Sequence, residues 1–430
     1  MTELIATEES AKKAFLVGIK ETKTSSVPFG SLEHEFSSLV NTLGLEILSQ
    51  KLVHVREKTA RYGMGSGKAA ELAEEATSLG ADCIIFDRDF SPSQQRNWEE
   101  LAGIPVIDRQ ELIIQIFASR AQTKEAELQV NLAELEYILP RLQHKYIDLS
   151  RQRGGSYGNR GSGETRLETD RRQVEQKITK LKNELLEVEK QRKVQRKLRE
   201  RQGVPVCALV GYTNSGKSTI LNMLTGANVL AEDKLFATLD STSRRLELPK
   251  GTQVLLIDTV GFIRRLPHSL INAFRSTIEE TNLADILINV LDASNPEAEE
   301  QYQTTLAVLR EIGAENIPMI TVLNKIDLCQ EQRPLVRPEL KDQSHGGSSL
   351  CVEISATEGR GLKELCEQIE SLLLGAYTRF RFPPERTDLA ALLHRSGIVI
   401  AEKYEEGFIE VDARVDESII GKLKEYTINE

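Results

Sequence analysis

Eight consecutive residues, Gly211-Tyr212-Thr213-Asn214-Ser215-Gly216-Lys217-Ser218, have the types and spacing that hold a polyphosphate. They fit G-x-x-x-x-G-K-[ST], in which glycines let backbone N–H groups turn toward phosphate oxygens and the following helix adds its positive end. Lys217 is expected to reach the β- and γ-phosphates and the Ser218 hydroxyl to ligate Mg²⁺, with Thr219 completing the phosphate-binding stretch. The flanks agree. Val206-Cys207-Ala208-Leu209-Val210 reads as a buried strand, and Thr219 to Leu224 carries the apolar spacing of a helix. The alternative is a glycine-rich turn that binds nothing.

A nucleotide switch needs further groups, and candidates follow in order. Thr238, twenty residues past Ser218, suits a threonine that closes over Mg²⁺ and the γ-phosphate only in the triphosphate state. Asp258 follows the apolar run Val254-Leu255-Leu256-Ile257 and is expected to hold Mg²⁺ through water, while the Gly261 N–H meets the γ-phosphate. The next residue, where a glutamine would orient the attacking water, is Phe262. A ring cannot polarise water, so Lys217, Thr238, Gly261 and Phe262 make a catalytic set expected to hydrolyse slowly alone. Help would come in trans or from a bound cation such as K⁺, for which Asn214 is the candidate ligand.

Base identity is read further on. Ile320-Thr321-Val322-Leu323 leads into Asn324-Lys325-Ile326-Asp327. A carboxylate at Asp327 can accept both N1–H and N2–H₂ of guanine, whereas adenine leaves it unpaired, a discrimination of ~10⁴ or more. Lys325 lays its stem along the base, Asn324 braces the loop, and Ser355 and Ala356, after the strand Cys351 to Ile354, aim N–H groups at guanine O6. Each short motif is weak by itself. All of them in order, each at the end of an expected strand, point to GTP and GDP as ligands.

The elements that must position these groups occupy 204–375, and the rest of the chain divides around them. The 430 residues, 40% hydrophobic and 28% charged, suit a multidomain protein with ordinary cores. No apolar run reaches the ~18 residues needed to span a membrane. The acidic start lacks a signal pattern, and five scattered cysteines suggest reduced thiols. The expected location is cytoplasmic, with no membrane partner. Residues 1–124 read as a small α/β domain with strands at 15–18, 46–55, 83–86 and 105–107. Its helices are expected at 68–79, 92–102 and 109–122, and in another that Ser31 caps. Gly63 to Lys68 opens one of them. It lacks the P-loop spacing, which favours a structural turn over a second nucleotide site. Residues 376–430 read as a small C-terminal α/β module.

Between these lies a helical hairpin, 125–203. Leu128, Leu132, Leu135, Leu139, Leu142, Tyr146 and Leu149 alternate at steps of four and three, as do Val174, Ile178, Leu181, Leu185 and Val188. Pro140 is expected to kink the first helix. The joining stretch 151–166 is rich in Gly and Arg, giving an arm of ~40 Å with a flexible tip. From Arg141 to Arg201, 18 Lys/Arg stand against 9 Asp/Glu, a local net of +9 in a chain at −10, leaving −19 elsewhere. A basic arm on an acidic body suits RNA, with Arg151, Arg153, Tyr157, Arg160 and Arg166 as tip contacts. A solvated coiled-coil face is the plainer alternative.

The run Asp258 to His268, followed by Ala273-Phe274-Arg275-Ser276-Thr277, resembles the HflX GTPases. So do Gly163-Glu164-Thr165-Arg166-Leu167-Glu168-Thr169-Asp170-Arg171-Arg172 and the helix around Leu135-Glu136-Tyr137. The resemblance covers about 45–375. It implies an α/β multidomain protein with an N-terminal α/β domain, a coiled-coil arm, a Ras-like P-loop GTPase domain and a C-terminal module. It also implies a GTPase that binds the large ribosomal subunit, its tip near the peptidyl-transferase region of the rRNA, and that splits stalled or idle ribosomes under stress. The competing reading is a GTP-dependent scaffold whose arm grips a protein helix.

Overall fold

The computed structural model describes residues 12–21, 29–55, 59–152, 160–202, 204–227, 235–236, 242–265, 281–329, 350–374, 376–405, 407–415 and 417–428; within these, the side chains of 21, 29–33, 143–152, 160–167, 193, 195–202, 374, 376–377, 395–398, 400, 414 and 417–418 lie outside that description. The chain forms two compact units. One comprises 1–201 with 230–241 and 260–279; the other comprises 202–229, 242–259 and 280–430.

The first unit opens with a parallel sheet of order β2-β1-β3-β4, built from β1 (Lys13–Glu21), β2 (Glu46–Val55), β3 (Cys83–Phe86) and β4 (Val106–Ile107). The helices are α1 (Phe29–Thr42), α2 (Ser66–Ser78), α3 (Pro92–Ala102) and α4 (Arg109–Arg120). β3 is apolar and buried throughout, as an inner parallel strand should be, whereas β2 lies at an edge and buries only Val53 and Val55. Helix α1 begins at Phe29, so Ser31 lies within it and is not its cap; the sequence places Pro28 just before that start, a residue suited to opening a helix. Local chemistry sets the other starts. Ser91 and Gln94 form a capping box at α3 with Pro92 behind it, and Asp108 caps α4 by accepting the Glu111 N–H at 2.8 Å. Trp98, fully buried, packs on Phe86 and donates to the Tyr62 carbonyl at 3.0 Å.

Two long helices complete this unit, α5 (Lys124–Gln152) and α6 (Arg160–Gln202). Lys182 meets Glu136 at 2.8 Å and Arg192 meets Glu125 at 2.8 Å, which fixes them as antiparallel. Of the residues expected in the seam, Leu128, Leu132 and Ile178 are buried. The helices reach further into the joining stretch than expected, α5 to Gln152 and α6 from Arg160. At 29 residues α5 spans about 44 Å, and at 43 residues α6 spans about 65 Å. Beyond the apolar seam it is rich in Lys, Arg, Glu and Gln, good helix formers that pair along the helix as Arg171–Glu175 and Lys180–Glu184 do. Pro140 lies inside α5, which continues past it as one element.

The second unit holds a six-stranded sheet of order β10-β9-β8-β5-β7-β6. Its strands are β5 (Val206–Gly211), β6 (Thr242–Glu247), β7 (Gln253–Asp258), β8 (Ile286–Asp292), β9 (Met319–Asn324) and β10 (Leu350–Glu353). All pairings are parallel except β6 on β7, an edge hairpin that alternation did not reveal because β6, Thr-Ser-Arg-Arg-Leu-Glu, buries only Leu246. Helix α7 (Lys217–Thr225) follows β5 directly. The C-terminal segment adds an antiparallel sheet, β12-β13-β11-β14, of β11 (Ala376–Phe382), β12 (Gly397–Glu405), β13 (Phe408–Val415) and β14 (Thr427–Ile428). Its core includes Phe380, Phe382, Leu393 and Val411. All five cysteines are free. No described helix is long and apolar enough to cross a membrane.

Candidate functional site

The second unit gathers its polar residues at the C-terminal ends of the parallel strands, where such sheets place ligands. The loop from β5 to α7 turns through Gly211 at φ +137, Asn214 at φ +60 and Gly216 at φ +99. Both glycines are obligatory by space as well as by φ: a Cβ on Gly211 would collide with the Val290 carbonyl, and one on Gly216 with the Asn324 amide. Tyr212, Thr213 and Ser215 are buried; Gly216, Ser218 and Thr219 are half-buried; Asn214 is exposed. Lys217 is buried, with Nζ donating to the Tyr212 carbonyl at 2.7 Å and the Gly211 carbonyl at 3.3 Å. Burial pushes its pKa down to about 8, against the pull of the Asp258 carboxylate.

Ser218 Oγ donates to Asp258 Oδ2 at 2.6 Å, so the hydroxyl and the carboxylate share one point at the end of β7. Asp258 is fully buried, and Thr259 is held behind it by donating to the Leu209 carbonyl at 2.7 Å. A hydroxyl and a carboxylate converging beside a phosphate loop form the oxygen set that Mg²⁺ takes. After Thr259 the chain passes into the first unit, where Gly261 and Phe262 are buried and the ring is 3% exposed. Thr238, Arg153 and Tyr157 lie outside the described residues. Arg151 lies in the last turn of α5, and Arg160 and Arg166 lie in α6.

The residues expected to read the base meet the Gly211–Ser218 loop directly. Asn324 Nδ2 donates to the Ser215 carbonyl at 2.9 Å, and Asn324 Oδ1 accepts the Ala356 N–H at 3.1 Å. Asn324 therefore ties three loops together. Lys325, at φ +64, places Nζ 2.8 Å from Asp292 Oδ2. Asp292 was not singled out by sequence, although it ends β8 in register with Asn324; its Oδ1 accepts the Ser294 N–H and hydroxyl. Asp327 sits in the following 3-10 turn. Among the described residues its Oδ1 is buried with no hydrogen-bond partner. The N–H groups of Ser355 and Ala356 are used differently from the expectation. Ser355 donates to the Arg360 carbonyl at 3.1 Å and Ala356 to Asn324, because this tight turn closes on itself and on the brace.

Family comparisons match the chain in three stretches: GTP-binding GTPase N-terminal over 31–118, GTP-binding GTPase Middle Region over 120–199, and 50S ribosome-binding GTPase over 206–325. Over 435 residues it is 43% identical to the GTPase HflX of Akkermansia muciniphila, covering 99% of each chain. Over 384 residues it is 41% identical to that of Escherichia coli K12, covering 89% of each. A GTP-binding protein from Sulfolobus solfataricus, crystallised with GDP, is similar at 25% identity over 84% of this chain and 98% of that one, with a TM-score of 0.45. With relatives above 40% identity over 89–99% of the chain, and the GTPase family models matching in order along it, the chain belongs to the HflX GTPases and hydrolyses GTP.

Proposed function

We propose that this GTPase binds the large ribosomal subunit, with its tip toward rRNA near the peptidyl-transferase region, and uses the GTP cycle to split stalled or idle ribosomes in the cytoplasm. The observation that carries the proposal is the antiparallel arm, 18 Lys/Arg against 9 Asp/Glu between Arg141 and Arg201 in a chain of net −10. Phosphate neutralisation by such an arm releases counterions and makes binding salt-dependent. The description of the family model that matches 206–325, a 50S ribosome-binding GTPase, supports the same partner. The working modules are 1–124, 125–203, 204–375 and 376–430, with the tip contacts at Arg151, Arg153, Tyr157, Arg160 and Arg166.

At the nucleotide site Lys217 and the loop N–H groups take the phosphates, Gly261 senses the γ-phosphate, and Asp327 reads guanine while Lys325 covers the base. Ser218 and Asp258 hold Mg²⁺, joined by Thr238 in the triphosphate state. When bound there, Mg²⁺ neutralises charge developing on the β- and γ-phosphate oxygens. The buried Phe262 leaves the attacking water without a side-chain hydrogen bond, so basal turnover is slow and stimulation can reach ~10³-fold or more. Asn214, exposed at the head of the loop, is assigned to K⁺; equal hydrolysis rates in potassium and sodium buffers remove that assignment. GTP turnover with and without purified large subunits, together with sedimentation of intact ribosomes, tests the whole. Stimulation and GTP-dependent dissociation are expected. Unchanged turnover favours the scaffold reading.

A further inference from the structure

The root of the arm is wired into the start of helix α4 by a run of buried polar contacts. Arg141 of α5 lies 3.4 Å from the Tyr137 ring centroid and donates to Asp108 Oδ2 at 2.9 Å, the Phe90 carbonyl at 3.0 Å and Gln95 Oε1 at 2.8 Å. Asp108 is the N-cap of α4. The next residue, Arg109, is 3% exposed; its guanidinium bonds Asp87, Glu35 at 2.8 Å and the Arg264 carbonyl at 2.8 Å. Burial alone would weaken its charge, but the two carboxylates more than offset that, and Arg109 stays cationic. Arg264 is three residues past Gly261.

The same helix reaches the other switch segment. Two turns on from Arg109, Phe117 packs edge-on against Phe236, ring centroids 4.7 Å apart at 85°, both rings about 1% exposed. Phe236 is two residues before Thr238. One helix thus contacts the segments next to both residues proposed to sense the γ-phosphate, and Arg141 of the arm contacts its N-cap. Asp108 and Arg109 are consecutive at the start of α4, so the contact from Arg141 and the contact to the Arg264 carbonyl meet on adjoining residues.

We infer that α4 is the element through which the arm sets the switch segments, with Arg109, Asp108 and Phe117 as positioning residues for GTP hydrolysis. The inference rests on the proposed role of the arm as the docking element. It requires that the α4 contacts differ in energy between the GTP and GDP states, and linkage then makes the two nucleotide affinities report it.

The test uses the full chain and the ratio of GTP to GDP dissociation constants, which a mere loss of folded protein leaves unmoved. Arg109→Lys keeps a cation between Asp87 and Glu35, but one ammonium cannot reproduce the fork that also holds the Arg264 carbonyl. It is expected to shift the ratio roughly fivefold or more. Arg141→Met, which leaves Asp108 capping α4, is expected to shift it the same way, and the double variant no further than Arg109→Lys alone. Phe117→Leu carries the same expectation if Arg109→Lys does not fold. An unchanged ratio in Arg109→Lys, or in Phe117→Leu where that stands in, overturns the inference. So does a double variant whose shift is the product of the single ones. With large subunits, Arg141→Met should bind with parental salt dependence but lose stimulation; parental stimulation in that variant also overturns the route. If the parent itself is not stimulated, the ribosome reading falls while the affinity ratio still decides the coupling.

Discussion

At Asp327 a buried carboxylate oxygen with no hydrogen-bond partner among the described residues sits beside Lys325 and Asn324, and base preference is the role proposed for it. Asp327→Asn exchanges an acceptor for a donor, so preference should move from GTP toward xanthosine triphosphate, whose base carries an acceptor in place of the N2 donor. Competition binding with the two triphosphates measures this, and unchanged GTP affinity would take Asp327 out of the base site. Lys217 yields a second residue-scale expectation. With its pKa at about 8 and phosphate binding requiring the cation, nucleotide affinity should be flat below pH 8. It should then fall by nearly tenfold per pH unit above it. Isothermal titration from pH 6.5 to 9.5 reads the profile, and a flat profile to pH 9.5 would mean that the buried ammonium keeps its ordinary pKa.

Among the elements, α4 and the root of α5 share a polar core that titrates. Glu111 is buried and lies beside Asp108, and burial first, then that neighbouring carboxylate, push its pKa from the ordinary 4.5 to about 7. It is nonetheless well coordinated, accepting from Tyr137 at 3.0 Å and Gln95 at 3.1 Å. The folded chain therefore holds this proton more tightly than the unfolded chain. Its contribution to stability is full below pH 4.5 and is lost as pH rises through 7, by a few kcal/mol. Glu111→Gln keeps the acceptor and removes the titration. Urea midpoints between pH 4.5 and 7.5 should fall less steeply in that variant than in the parent; parallel slopes would show that Glu111 is ionised in the folded protein throughout.

At the scale of the molecule the question is what the basic arm meets. Arg153→Glu with Arg160→Glu should weaken binding to large ribosomal subunits and lower the slope of log K against log salt by ~1 for each lost phosphate contact. Basal GTP binding and basal turnover should stay at parental values, since Arg160 opens α6, 46 residues before the start of β5 at Val206. Filter binding over a salt series is the measurement. A double variant with the parental slope would remove the tip from the RNA interface. Loss of basal turnover would instead reveal a folding role for it.

The nucleotide motifs were legible in the sequence because each is local: a strand, a tight turn through Gly211 and Gly216, and a helix occupy one stretch of chain. The order of the α/β elements was legible for the same reason, since period and capping are written within about a dozen residues. What only tertiary structure decided are contacts between distant stretches. Asn324 bonds Ser215 across 109 positions, Asp292 meets Lys325 through the register of β8 and β9, and the N–H of Ala356 turns to Asn324. Arg109 likewise has nothing in its own stretch of sequence to mark it, standing first in helix α4. It is buried because Glu35, Asp87 and the Arg264 carbonyl, up to 155 residues away, converge on it. A buried guanidinium persists only where its carboxylates are assembled around it, and that assembly is a property of the fold, not of any window of the chain.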